Sequence, residues 1–151
     1  MKVLGGTSRA SVITLRKSLA DAVSKQSASD AASFASDLFT ILTVLSSSVG
    51  LRRALTDNSR DKSAKADLIS NLFGKNIKAE AQALLATAAS LRWSSPAELA
   101  DAVEQLAVEA QSAAAEKSNE QESLESELFN FARVLIANPD LRQGLNTSAD
   151  S

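Results

Sequence analysis

Three carboxylates, Glu98, Asp101 and Glu104, recur at intervals that place them along one face of a helix. Paired carboxylates can divide acid and base work when their surroundings push their pKa values apart. The competing reading is a solvated acidic face, and the rest of the chain favours it. Histidine and cysteine are absent. No serine therefore has an imidazole to activate it, no thiolate can form, and zinc and its neighbours lose their usual ligands. Neither a glycine-rich phosphate loop nor a calcium loop of alternating acids and glycine occurs. The sequence describes a chain without catalysis, cofactor or metal.

The basic residues gather at Arg52, Arg53, Arg60, Lys62 and Lys65, but Asp57, Asp61 and Asp67 lie among them, and the net charge is −2. A nucleic-acid binder needs an unbroken basic footprint, because counterion release drives its affinity. Nucleic acid is excluded as a partner on that ground. The apolar stretch from Leu38 to Leu45 is interrupted by Thr40 and Thr43 and falls short of the roughly 20 residues that span a bilayer. Lys2 is not followed by an apolar signal core. The expectation is a soluble, intracellular polypeptide. Trp93, the one tryptophan, reads as a partly buried cover over a helix end rather than a binding anchor.

The elements that would position these residues are helical throughout. Two prolines and five glycines leave few breakers, and alanine and leucine favour helix over sheet. Thr7 caps a first helix reaching about Lys25, with Val12, Leu15, Leu19 and Val23 as its core stripe. After the polar break Ser27–Asp30, a second helix reaches about Ser48. Its stripe of Phe34, Leu38, Ile41 and Leu45 is widened by Phe39 and Leu42, so more than one neighbour should contact it. Gly50 opens a short third helix with Leu51, Ala54 and Leu55, closed by the turn Asp57-Asn58-Ser59. A fourth helix carries Ala64, Leu68, Ile69, Leu72 and Phe73, with Gly74 at a left-handed C-cap. A fifth runs from about Ile77 to Leu91 with Leu84, Leu85, Ala88 and Leu91 inward.

Ser95-Pro96-Ala97-Glu98 then reads as a capping box with proline at the first helical position. Leu99, Val103, Leu106 and Ala110 continue the sixth helix. Between Pro96 and Pro139 only Ser118 and Asn119 could interrupt it. One long helix, bent or frayed near Ser118, is expected over two joined at a turn. It ends at Asn138-Pro139.

The segment from Ser36 recurs from Ser126. Ser36, Leu38, Phe39, Val44, Leu45, Leu51, Arg52 and Leu55 match Ser126, Leu128, Phe129, Val134, Leu135, Leu141, Arg142 and Leu145. Helical periodicity alone accounts for matching leucines but not for Leu-Phe and Leu-Arg pairs in register. The fold expected is therefore all-α: a six-helix bundle over 1–117, then a helical extension over 118–151 that begins a second copy of the bundle. A partial repeat cannot bury its own apolar face, so residues 124–145 would be open to self-association.

The order of elements resembles the N-terminal helical domain of the ATP synthase delta-subunit family. The residues that carry the resemblance are Leu51, Arg52 and Leu55 before the turn, then Lys65, Leu68, Leu72, Phe73 and Gly74, the helix from Ala79 to Leu91, and Ser95 to Ala110. Leu91-Arg92-Trp93-Ser94 looks like the actinobacterial branch with a duplicated helical domain. Asn58 replaces a usual proline and Ser11 a usual aromatic.

The resemblance implies a stator connector that holds the N-terminal helix of an α subunit between the first and fifth helices. It also implies attachment to the peripheral-stalk b subunit through parts missing here, and a peripheral, indirect membrane location on the cytoplasmic face of the bacterial plasma membrane. Ser11, Thr14, Leu15 and Ser18 on the first helix, and Ala79, Ala83, Ala86, Thr87 and Ser90 on the fifth, are the expected partner-binding residues. Small side chains there would let a partner helix approach closely. The alternative is a helical adaptor or regulatory scaffold for an amphipathic helix of another partner.

Overall fold

The structure, a computed structural model, describes residues 3–138. Among them are six helices and no strand: α1 Gly6–Ser24, α2 Ala28–Ser47, α3 Val49–Thr56, α4 Lys62–Phe73, α5 Ala79–Ser90 and α6 Pro96–Ala137. Residues to Ala115 form one compact unit and those from Glu116 another, a division falling inside α6.

In the first unit the expected stripes become the core. Val12, Leu15, Leu19 and Val23 of α1 are buried, as are Phe34, Leu38, Ile41 and Leu45 of α2. Each such leucine or phenylalanine contributes roughly 1.5–3 kcal/mol when fully buried. The wide stripe of α2 has the consequence expected of it, since α2 packs against both α3 and α5. By length and composition, all of α2 would also suffice to cross a membrane. The expectation to the contrary judged unbroken apolar runs, whereas the average over twenty helical residues tolerates Thr40 and Thr43. Its buried stripe is spent on the bundle.

Local capping is specific. Ser27 accepts the Asp30 N–H at 3.1 Å, and Ser48 accepts the Leu51 N–H at 3.1 Å. Arg52 Nη1 reaches back to the Leu45 and Ser46 carbonyls, closing the end of α2. Asp57 Oδ1 accepts from both the N–H and the hydroxyl of Ser59, forming the expected turn. That holds the Asp57 carboxyl below its ordinary pKa, with the Ser59 hydroxyl the leading cause and the Ser59 N–H the next.

Three local expectations are corrected. Thr7 is not the cap of α1, which begins at Gly6 after Gly5 and has no cap from a neighbouring side chain. Gly50 does not open α3; Ser48 does, as N-cap. Gly74 is right-handed, at φ −53°, and is needed for space instead: a Cβ there would collide with the Ser70 carbonyl oxygen. The apolar residues of α4 divide between core and surface. Ala64 and Leu72 are exposed and Leu68 is half-buried, while Lys65 is buried beside Ile69 and Phe73. A lysine stem is apolar over four methylenes, so it fills the core position while its Nζ donates to the Ala89 carbonyl at 2.8 Å. Burial, the leading cause, pushes the Lys65 pKa down.

Continuous helix through Ser118 and Asn119 settles the choice left open there. Leu99, Val103, Leu106 and Ala110 are buried, together with Ala102, Ala107 and Ala114. In the second unit, Leu124, Leu128, Phe129, Phe131, Val134 and Ile136 are all exposed. Leu141, Arg142 and Leu145 of the repeat, and residues 139–145 of the expected self-association segment, lie outside the described residues.

Candidate functional site

The residues expected to bind a partner come from α1 and α5, which pack directly against each other. They run antiparallel. Ser11, early in α1, donates to the Arg92 carbonyl just past the end of α5 at 2.6 Å. Ala22 and Lys25, at the other end of α1, share a recess with Lys78 and Glu80 at the start of α5.

The inner face of α5 is Ala81, Leu84, Leu85, Ala88 and Ala89, all buried. Its outer face leaves Ala79 and Ala83 exposed and Ala86, Thr87 and Ser90 half-buried. The two hydroxyls on that face bond to their own helix: Thr87 Oγ1 to the Ala83 carbonyl at 3.0 Å, Ser90 Oγ to the Thr87 carbonyl at 2.6 Å. Along Ala79, Ala83, Ala86, Thr87 and Ser90, α5 therefore presents small side chains with their hydroxyls satisfied, beside exposed Glu80, and another helix can approach that stripe closely.

On α1 the nine-residue set divides. Thr14 is exposed and Ser18 half-buried, so both remain at the surface. Leu15 is 0% exposed and Ser11 6%, so neither offers area to a partner. Leu15 was expected both in the core stripe of α1 and among the partner-binding residues, and its side chain is inside the bundle core. Ser11 is occupied by the Arg92 carbonyl. The outer α1/α5 face thus keeps Thr14, Ser18, Ala79, Ala83, Ala86, Thr87 and Ser90.

A second concavity escaped the sequence reading. On α1's flank toward α6, an open groove of about 620 Å³ is lined by Ile13, Ala20, Val23 and Ala113, with Arg16 and Glu109 at its edge. Arg16 Nε and Glu109 Oε1 pair there at 2.9 Å, both partly exposed, so the pair adds little stability. Exposed Ile13, at 58%, was the available signal. Pairing of α1 with α6 cannot be read from periodicity, which is why the signal went unused.

The acidic series also resolves differently from a solvated face. Glu98 is half-buried and holds the start of α1: Oε1 accepts the Gly5 N–H at 2.6 Å and Oε2 the Ser8 hydroxyl at 3.2 Å. Glu104 is exposed as expected, and Asp101 is half-buried. Trp93 is half-buried and donates its indole N–H to the Ala88 carbonyl at 2.8 Å, covering the end of α5.

No protein-family model matches the chain. It is similar to the ATP synthase subunit delta of Kineococcus radiotolerans, 41% identical over 93% of this chain and 50% of the relative. It is likewise similar to the ATP synthase subunit delta of Streptomyces coelicolor, at 37% over 97% of this chain and 53% of the relative. That of Frankia alni is 36% identical over 95% of this chain and 54% of the relative. The chain spans about half the length of these curated relatives.

Proposed function

We propose that this chain, which belongs to the ATP synthase delta-subunit family, is a non-catalytic stator connector of an F-type ATP synthase whose outer α1/α5 face seats the N-terminal helix of an α subunit. The observation that carries the reading is the small-residue face of α5, its hydroxyls already satisfied, lying along α1. A helix laid over Ala79, Ala83 and Ala86 can bury its own apolar stripe at close range, with Thr14 and Ser18 along one side. A connector that resists torque needs buried area and slow dissociation rather than chemistry, and no group on this face is suited to bond-making.

The remaining assignments rest on the same kinship. The link to the peripheral-stalk b subunit runs through parts of the subunit this chain does not contain. Attachment to the membrane is indirect, on the cytoplasmic face, by way of the complex. The segment from Glu116 acts as the opening of a second bundle, and its apolar stripe is a surface for self-association when nothing else covers it.

A second reading places the same α-subunit helix in the α1/α6 groove, because that side offers an open concavity of about 620 Å³ with Ile13 and Ala20 exposed along it. One titration separates the readings. The N-terminal peptide of the chain's own ATP synthase α subunit is added while Trp93 fluorescence and heat are followed. Saturable one-to-one binding abolished by Ala83→Arg but not by Ile13→Asp supports the α1/α5 face. The opposite pattern moves the site to α1/α6. An absence of binding at high micromolar concentration leaves a helical adaptor for another partner.

A further inference from the structure

The N-terminus of α1 takes its side-chain acceptor from another helix. It has no acidic residue in its first turn and no cap from a neighbouring side chain, although a helix leaves its first four N–H groups without intrahelical partners. The missing acceptor comes from far along the chain. Glu98, in the first turn of α6, accepts the Gly5 N–H at 2.6 Å and places a carboxylate at the positive end of α1. Its other oxygen takes the Ser8 hydroxyl, and Ser8, 0% exposed, in turn accepts the Ser94 N–H at 2.9 Å. Ser11 adds its bond to the Arg92 carbonyl. The approach is close enough that a Cβ on Gly5 would lie 2.8 Å from Ser94 Cβ.

Other residues, Trp93 of the linker and Lys65 of α4, fasten the end of α5. The Ala88 carbonyl accepts from Trp93 and the Ala89 carbonyl from buried Lys65. The linker Leu91–Ser95 is thereby tied at one edge to α5 and at the other to α1. At the opposite end of the pair, the corresponding ties are different: Lys78 N–H is held by Asp37 of α2, not by α1.

We propose that Glu98, Ser8 and Ser11 are positioning residues: a hydrogen-bonded clasp that fixes the spacing of α1 and α5 at one end, and so sets the width of the face between them. None of them touches a bound partner. Their effect on affinity passes through the separation of the two helices. The inference rests on the α1/α5 reading for its binding consequence, while the spacing itself can be measured without any partner.

The absence of native cysteine allows the test to be made cleanly. Spin labels at Ala10→Cys early in α1 and Arg92→Cys just past the end of α5, both exposed and both at the end the clasp holds, report the separation in the full chain by electron resonance. Glu98→Ala and Ser11→Ala should broaden and shift the distance distribution, and Glu98→Gln, which keeps an acceptor for Gly5, should restore most of it. In parallel, affinity for the α-subunit N-terminal peptide is measured well below each variant's Tm, where the folded fraction is unchanged. A residue serving stability alone would lower Tm and leave that affinity intact. The clasp predicts about a fivefold to tenfold loss for Glu98→Ala and for Ser11→Ala, the size expected for one lost hydrogen bond, with recovery in Glu98→Gln. Unchanged distances in both alanine variants overturn the proposal. If wild type binds and the alanine variants bind equally well, the proposed control of affinity is overturned. If wild type does not bind the peptide, the α1/α5 reading fails, and the distance measurement alone then decides whether the clasp sets the spacing.

Discussion

Leu38 and Leu128 occupy matching places in the internal repeat, each followed by phenylalanine and preceded by Ser-acid. Their environments are opposite: Leu38 is 2% exposed and Leu128 59%. The pair permits a comparison in which residue type, helix propensity and local sequence are held nearly fixed. Leu38→Ala removes three buried carbons from the contact between α2 and its neighbours and leaves a cavity, costing about 2–5 kcal/mol. Leu128→Ala removes surface that water already reaches over more than half its area. Alanine is also the better helix former, so the expected cost is within about 0.5 kcal/mol of zero.

Urea unfolding read by Trp93 fluorescence reports the unit to Ala115, since Trp93 sits on the end of α5. With a slope of about 1.5 kcal/mol per molar urea, a loss of about 3 kcal/mol moves the midpoint of Leu38→Ala down by about 2 M. Far-ultraviolet circular dichroism on the same samples follows α6 for Leu128→Ala. A cost above about 1.5 kcal/mol for Leu128→Ala in dilute solution would refute the exposure assigned to this stripe. If that cost grew with protein concentration, the cover would be a second copy of the chain.

Other outcomes follow from the same geometry. Ala83→Arg should leave Tm within a few degrees of wild type, since Ala83 is exposed, while abolishing saturable binding of the α-subunit peptide by calorimetry. Light scattering at rising concentration should show self-association of the wild-type chain, weakened by Phe129→Asp or Phe131→Asp; a strictly monomeric mass at high concentration would end that idea. The depressed pKa of Asp57 means that the unfolded chain binds the extra proton first, so its contribution is present above the ordinary carboxylate value of 3.8 and is lost as pH falls through the lower folded value. Asp57→Asn should remove that part of the acid sensitivity in pH-dependent urea titrations. For Lys65 the sign is the same but the window alkaline: burial lowers its folded pKa, so stability rises with pH from that value toward the ordinary 10.5. Lys65→Met should lack that rise when its urea midpoints are compared with wild type across the alkaline range.

What was legible in the sequence is what periodicity and capping chemistry encode locally. The stripes of α1 and α2, the Ser27 cap and the Asp57 turn are each decided within a few residues, and the structure has them. Misreadings occur where a distant group intervenes. Lys65 looked like surface because lysine heads are costly to bury, but an acceptor twenty-four residues away satisfies the head and the stem is apolar. The buried face of α4 steps by four through Lys65, Ile69 and Phe73, and Leu72 lies at its edge, 47% exposed. Glu98 looked like a capping-box residue because Ser95 stands three positions earlier, yet its two oxygens serve Gly5 and Ser8 across the bundle, and Ser95 Oγ is only at 3.4 Å.

The same distinction explains the candidate site. Small residues on the outer face of α5 are visible as a stripe, and the structure keeps them outside because Leu84, Leu85 and Ala88 occupy the core. Serine on α1 is ambiguous by type: Ser11 and Ser18 lie two turns apart on the same side of the helix, and only tertiary structure tells that the first is buried and bonded while the second is not. Of the nine residues expected to bind, the structure puts Ser11 and Leu15 inside the bundle and leaves the other seven at its surface. Ser11 matters by holding α1 to the Leu91–Ser95 linker, and Leu15 by packing beneath it. A surface whose width depends on such bonds is set by residues no partner touches. Substitutions on the exposed stripe and substitutions in the clasp should therefore separate: the first alter what a partner meets, the second alter where the two helices stand when it arrives.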